Sequence, residues 1–237
     1  MKRFWEHINV LPDIIKLIYP RTCVACGQKL VQGEEMICIP CRIQLPQTHF
    51  HLMPDNPVEK VFRGRAKVDF AASLYFFQKG LRVQHILHAI KYKQNKKLAY
   101  FLGEYYGTQV KDVLQKWQVD MFIPVPLHPA KLRQRGYNQS AEFAKGLTAS
   151  TSIPTRTDLL TRTVYTETQT RKARFERWEN VKDKFAVTNT GELTGKHIIL
   201  VDDVITTGST LESCAQVIQQ MGVDKTGVLT IACAAHH

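Results

Sequence analysis

The chain has 237 residues, 44% of them apolar, and carries 32 Lys and Arg against 21 Asp and Glu, for a formal net charge of +11. This composition excludes the disordered and fibrous classes and suits one large domain, or an ordinary domain with a small appendage. Its uninterrupted apolar stretches, such as 198–201 and 231–235, fall far short of the roughly 18 residues a membrane span needs, and the basic excess puts polyanions first among partners: nucleic acid, nucleotide phosphate or anionic lipid.

The first residues read MKRFWEHINVLPD, where Glu6, His7, Asn9 and Asp13 interrupt the apolar run of a secretory signal. A cytoplasmic location is expected. Phe4, Ile8, Leu11, Ile15 and Ile18 recur at helical spacing, with Pro12 as a kink or restart. This amphipathic segment is expected to pack on the rest of the protein; peripheral contact with a membrane surface or a partner is the alternative.

Four of the six cysteines follow as Cys23-x-x-Cys26 and Cys38-x-x-Cys41, eleven residues apart. Each turn can bring two thiolates to about 2.3 Å from one Zn²⁺, and two turns complete a tetrahedron. A cytosolic chain disfavours disulfides, and a redox pair would be a single C-x-x-C, so structural Zn²⁺ is expected. Residues 22–45 are too few to make a core, and the metal would supply their folding free energy. Pro46, Pro54 and Pro57 predict an irregular connection up to a boundary near residue 67. Two domains follow, 1–67 and 68–237.

Beyond the boundary, predicted strands at 71–77, 119–125, 158–164, 198–201 and 225–233 alternate with predicted helices at 81–93, 97–116, 136–150 and 209–221. The alternation predicts an α/β fold with a mostly parallel sheet covered on both faces. Cys214 and Cys233, in apolar surroundings, read as buried thiols.

Chemistry concentrates in IILVDDVITTGST, residues 198–210. An apolar strand ends in Asp202 and Asp203, and Thr206, Thr207, Gly208, Ser209 and Thr210 lead into a helix. At the carboxyl end of a parallel strand such a turn aims backbone N–H groups outward, and the helix dipole adds its positive end. Small side chains let a phosphate approach, and four of the five add hydroxyls. The turn matches neither the P-loop nor the dinucleotide-binding pattern. Two carboxylates beside an anion cradle would repel phosphate unless they address sugar hydroxyls or Mg²⁺, so a ribose phosphate is the expected ligand. Simple capping of the helix by one carboxylate is the structural alternative. Residues 126–184 hold 12 basic and 6 acidic residues together with Tyr137, Tyr165, Phe175 and Trp178. Those are the ingredients of a sequence-independent single-strand binder, and equally of an ordinary solvated surface.

The 198–210 stretch resembles the 5-phosphoribosyl 1-diphosphate (PRPP) motif of type I phosphoribosyltransferases. With the cysteine knuckles, the run PVPLHPAKLRQRGYNQS (124–140) and the run TETQTRKARFERWENVKDKF (166–185), the chain resembles the ComF family of competence-associated proteins. That resemblance implies a type I phosphoribosyltransferase-like fold with a small N-terminal zinc module. It implies ribose hydroxyls on Asp202 and Asp203, the 5′-phosphate on Thr206 to Thr210, and Mg²⁺ entering with PRPP. His128, Lys131, Arg133, Arg135, Arg171 and Arg174 become candidates for the diphosphate or for DNA phosphates, and 166–177 matches in position the loop that closes over the site in amidophosphoribosyltransferases. The resemblance further implies a part in natural transformation: handling incoming single-stranded DNA near the cytoplasmic face of the membrane, beside a helicase-like partner from the same operon. The alternative is an active phosphoribosyltransferase that displaces diphosphate through an oxocarbenium-like transition state, onto an unidentified acceptor. No general base for that step and no glutamine-hydrolysing domain is evident.

Overall fold

A computed structural model of the chain describes residues 20–162, 185–188 and 190–234, and the chain divides into two compact units between Leu45 and Pro46. The amphipathic lead-in at 3–18 lies outside the described residues.

In the first unit, backbone bridges Thr22 to Lys29 and Glu35 to Ile37 shape the two cysteine turns. Helix α1 (Ile39–Gln44) starts directly after Cys38, with Pro40 in its first turn, where a missing N–H costs nothing. Glu34, 5% exposed, accepts from the N–H groups of Ile39 (2.8 Å) and Val31 (2.9 Å) and so ties the intervening loop to the helix start. The same two donors hold its carboxyl below the usual range.

The second unit is built on four parallel strands, β1 (Phe70–Phe77), β2 (Met121–Pro124), β5 (His197–Ile205) and β6 (Lys225–Ala234), in the order β1-β6-β5-β2. Ile198 to Val201 are at most 1% exposed, as expected of a central strand covered on both faces. Flanking the sheet are α2 (Pro57–Lys60), α3 (Arg82–Tyr92), α4 (Lys96–Lys116), α5 (Pro129–Arg135), α6 (Gln139–Thr151) and α7 (Ser209–Gln219). Helices α4 and α6 pack backbone to backbone: a Cβ on Gly103 would lie 2.0 Å from the Phe143 carbonyl oxygen, so only glycine permits this crossing.

Three expectations are adjusted. The strand expected at 158–164 is β3 (Leu160–Arg162), which pairs antiparallel with β4 (Phe185–Val187) outside the main sheet. The helix expected at 136–150 is α6, starting three residues later than expected, and the short helix α5, which was not expected, precedes it. Gly136, at φ +72°, closes α5 through its N–H to the Leu132 carbonyl, and Asn138 then caps α6 by accepting from the N–H groups of Ser140 and Ala141. Residues 46–67, expected as a loose connection on the cysteine side of a boundary at 67, fall within the second compact unit. Their prolines stop helix and strand, yet their backbone covers the β1 edge: Thr48 donates to Leu74 (3.1 Å), and Phe76 donates to Pro46 (2.9 Å). Buried Asn56 donates to the Ala71 carbonyl (2.8 Å) and accepts from the Val58 N–H, starting α2.

Candidate functional site

Strand β5 runs past the apolar tetrad. Its register against β6 continues through Asp202 opposite Thr230 and Ile205 opposite Cys233, whereas β2 stops opposite Val201. The acidic pair therefore stands where β2 has ended, and the first turn of α6 reaches it there. Ser140 Oγ donates to Asp202 Oδ1 (2.9 Å), and Gln139 Nε2 donates to Asp203 Oδ2 (2.7 Å). From the last turn of α3, Lys91 Nζ lies 3.2 Å from Asp203 Oδ1. Asp203's own N–H donates to Asp202 Oδ1 (2.8 Å).

The two carboxylates are unequal. Asp203 is 7% exposed, with both oxygens engaged, while half-buried Asp202 lines a hollow of about 220 Å³, counting its open mouth, together with Val204 to Leu211. Burial, then repulsion from Asp203, push the Asp202 carboxyl up to about 7, against the pull of the Asp203 N–H, Ser140 and Lys91. Asp202 can thus take up or release a proton near neutrality, a capacity the sequence did not disclose.

The turn after β5 places Thr206, Thr207 and Ser209 on the surface of the hollow, with Ser209 and Thr210 opening α7. Gly208 caps that helix at φ +74°, and a Cβ there would sit 2.5 Å from Val61 Cγ1. The turn is clamped from outside as well. Arg65 donates to the Thr207 carbonyl (2.7 Å) and pairs with Glu212 of α7 (2.5 Å). Segment 46–67 is therefore the outer wall of the anion turn, which its composition did not announce.

Among the basic candidates, His128 caps α5, its Nδ1 accepting from the Ala130 N–H (3.2 Å). Lys131 and Arg133 are exposed on α5, and Arg135 is half-buried. Arg171, Arg174 and the 166–177 loop lie outside the described residues. A second basic turn, which carries no sequence motif, adjoins α5. Lys93, just after α3, and Lys96 and Lys97, in the first turn of α4, stand exposed; Tyr137 OH donates to the Ile90 carbonyl (2.5 Å), and Lys96 Nζ lies 5.4 Å from the centre of the Tyr137 ring. Tyr92, 62% exposed, contributes an open aromatic face.

The four N-terminal cysteines converge, with their Sγ atoms all within 4.8 Å of one another. The Cys26–Cys38 separation of 3.8 Å equals the edge of about 3.8 Å that a tetrahedron with bonds of about 2.3 Å requires. The Cys38 N–H donates to Cys23 Sγ (3.3 Å). Burial raises the Cys23 thiol, but the N–H groups of Cys38, Cys26 and Ala25 outweigh it and bring it down to about 7, toward the thiolate that ligates metal. All six cysteines are free of disulfides. Four converging sulfurs with an N–H donor on one of them fit Zn²⁺.

A parallel sheet whose central strand ends in an acidic pair and a hydroxyl-rich turn into a helix is a phosphoribosyltransferase-like fold, and residues 137–237 match the phosphoribosyl transferase domain family. The chain is 33% identical over 127 residues to "Competence protein F" of Haemophilus influenzae, covering 52% of this chain and 56% of that protein. It is 26% identical over 224 residues to "DNA utilization protein YhgH" of Escherichia coli K12 (87% and 94% covered), and 25% identical over 208 residues to "Competence protein ComFC" of Bacillus subtilis (81% and 82%). The chain is a homologue of these proteins, carrying a phosphoribosyl transferase domain and an N-terminal four-cysteine cluster. Its match spans little more than half the length of the Haemophilus protein. Among the described residues, no helix is long and apolar enough to cross a membrane.

Proposed function

We propose that this is a competence-associated protein that handles incoming single-stranded DNA and binds PRPP, or a related ribose phosphate, in the hollow at the end of β5. One observation carries the ligand reading: a hydroxyl-rich helix N-terminus and an acidic pair share one strand end, an arrangement that suits a single ligand presenting both phosphate and sugar hydroxyls. Mg²⁺ would enter with the diphosphate and neutralise it, and Zn²⁺ on Cys23, Cys26, Cys38 and Cys41 would be structural. The reading is tested by calorimetric titration of PRPP with Mg²⁺. Asp202→Asn combined with Asp203→Asn is expected to abolish binding, and unchanged affinity would overturn the assignment.

The DNA part rests on the two adjoining basic turns and the open face of Tyr92, a backbone track beside a stacking surface. Single-strand affinity is expected to fall steeply with salt, and Lys93→Ala with Lys97→Ala and Arg133→Ala to flatten that slope by about 0.7 for each phosphate left without its cation. Salt-independent binding would remove the reading. The names of the relatives support this role, and contact with a helicase-like partner or with the membrane face belongs to the same proposal. Turnover is the alternative activity of the same hollow, where Asp202 would exchange the acceptor's proton.

A further inference from the structure

Lys91 belongs to no motif, yet among the described residues it is the cation that pairs with the acidic pair. It comes from the last turn of α3, its side chain is 24% exposed, and its ammonium reaches Asp203 Oδ1 at 3.2 Å. Asp203's other oxygen takes the Gln139 Nε2 donor at 2.7 Å, an interaction that fixes which end of that amide faces the carboxylate. The Gln139 carbonyl oxygen is left buried without a hydrogen-bond partner, on a residue only 2% exposed. Gln139, Asp202 and Asp203 thus bring hard oxygen donors, one of them without a partner, to one strand end, the donor type a hard cation takes. Among the described residues, Lys91 is the cation paired with that acidic pair.

We propose that Lys91 is the built-in counter-ion of the Asp202–Asp203 pair, standing where a divalent cation would otherwise bind, so that the ligand-free site excludes free metal ions and Lys91 is displaced only by a ligand that arrives with its own cation. This deepens the ribose phosphate reading and rests on it for the identity of that ligand. The charge logic is simple. With Lys91 on Asp203 that carboxylate already has its counter-charge, and a divalent ion entering alone would have to expel an ammonium from a half-buried place. A metal carried on a diphosphate enters with anionic oxygens that can receive the freed ammonium. Lysine suits this exchange because its ammonium is a compact charge on a flexible stem.

The test needs no ribose phosphate, so its failure is distinguishable from failure of the ligand reading. Mn²⁺ alone is titrated into zinc-loaded protein and followed by electron paramagnetic resonance of the free ion. Wild-type protein is expected to leave Mn²⁺ free. Lys91→Met is expected to bind one Mn²⁺ at least about tenfold more tightly than wild type, Lys91→Arg to behave as wild type, and Lys91→Met with Asp203→Asn to lose the gain. A purely structural role for Lys91 would create no metal site. Equal Mn²⁺ affinity in wild type and Lys91→Met would overturn the proposal, as would a gain that survives Asp203→Asn. Tight Mn²⁺ binding by the unsubstituted protein would overturn it too, a result that does not depend on any variant folding.

Discussion

Replacing Asp202 by Asn removes a charge while keeping a shape. Both hydrogen bonds to Oδ1, from Ser140 Oγ and the Asp203 N–H, can be accepted by an amide oxygen in the same place. What disappears is the ionisation of a half-buried carboxyl beside Asp203, whose folded value is about 7 against an ordinary 3.8. At about 1.4 kcal/mol per decade, ionisation above neutrality costs the fold on the order of 4 kcal/mol. Between those two values the folded state keeps a proton that the unfolded chain has lost. Wild-type stability is therefore full below the ordinary value and falls as pH rises through the window to about 7. Urea unfolding is expected to show the Asn variant more stable than wild type at pH 8, by up to about 4 kcal/mol, with the gap narrowing by more than half at pH 5. PRPP binding should be lost in the same variant. A stability difference independent of pH, or a variant weaker than wild type at pH 8, would refute the reasoning.

Purified protein is expected to carry one zinc, and Cys23→Ser or a strong chelator to unfold residues 20–45, read as loss of amide protection in hydrogen exchange; folded, metal-free protein would contradict the four-thiolate site. Gly208→Ala should destabilise by about 1–2 kcal/mol from the left-handed backbone alone, and by more from the 2.5 Å approach to Val61; Val61→Ala is expected to restore only the steric part, measured by thermal unfolding. His197 gives its ring nitrogens to the Trp117 carbonyl (2.7 Å) and to Asp224 (2.8 Å), which raise its pKa above the ordinary 6.5. Its stabilisation is full below that value and is lost as pH rises through the folded one, so Asp224→Asn should lower the melting temperature at pH 6 and change it little at pH 8.5.

The sheet was legible in the sequence because its strands are continuous apolar runs, and the anion turn because small hydroxyl residues after two carboxylates have few other uses. The cysteine cluster was legible from spacing alone. Less accessible were groups whose role depends on meeting a distant partner. Lys91 lies in an ordinary amphipathic helix and is 112 positions from Asp203. Arg65 lies in a stretch whose prolines suggested a loose connection, yet it holds the Thr207 carbonyl. Gln139 and Ser140 close the RGYNQS word that carried the family resemblance, but their bonds to the acidic pair appear only when α6 meets the end of β5. Gly136 reads as the start of a helix because periodicity does not separate a helix interior from a left-handed cap between two helices.

The most direct test of the central claim is ³¹P NMR of PRPP with Mg²⁺ in the presence of the zinc-loaded protein. A ribose phosphate seated in the hollow predicts broadened or shifted lines, the 5′-phosphate most of all, with the free spectrum restored by Asp202→Asn combined with Asp203→Asn. Phosphorus lines unperturbed by wild-type protein would contradict the assignment of that hollow.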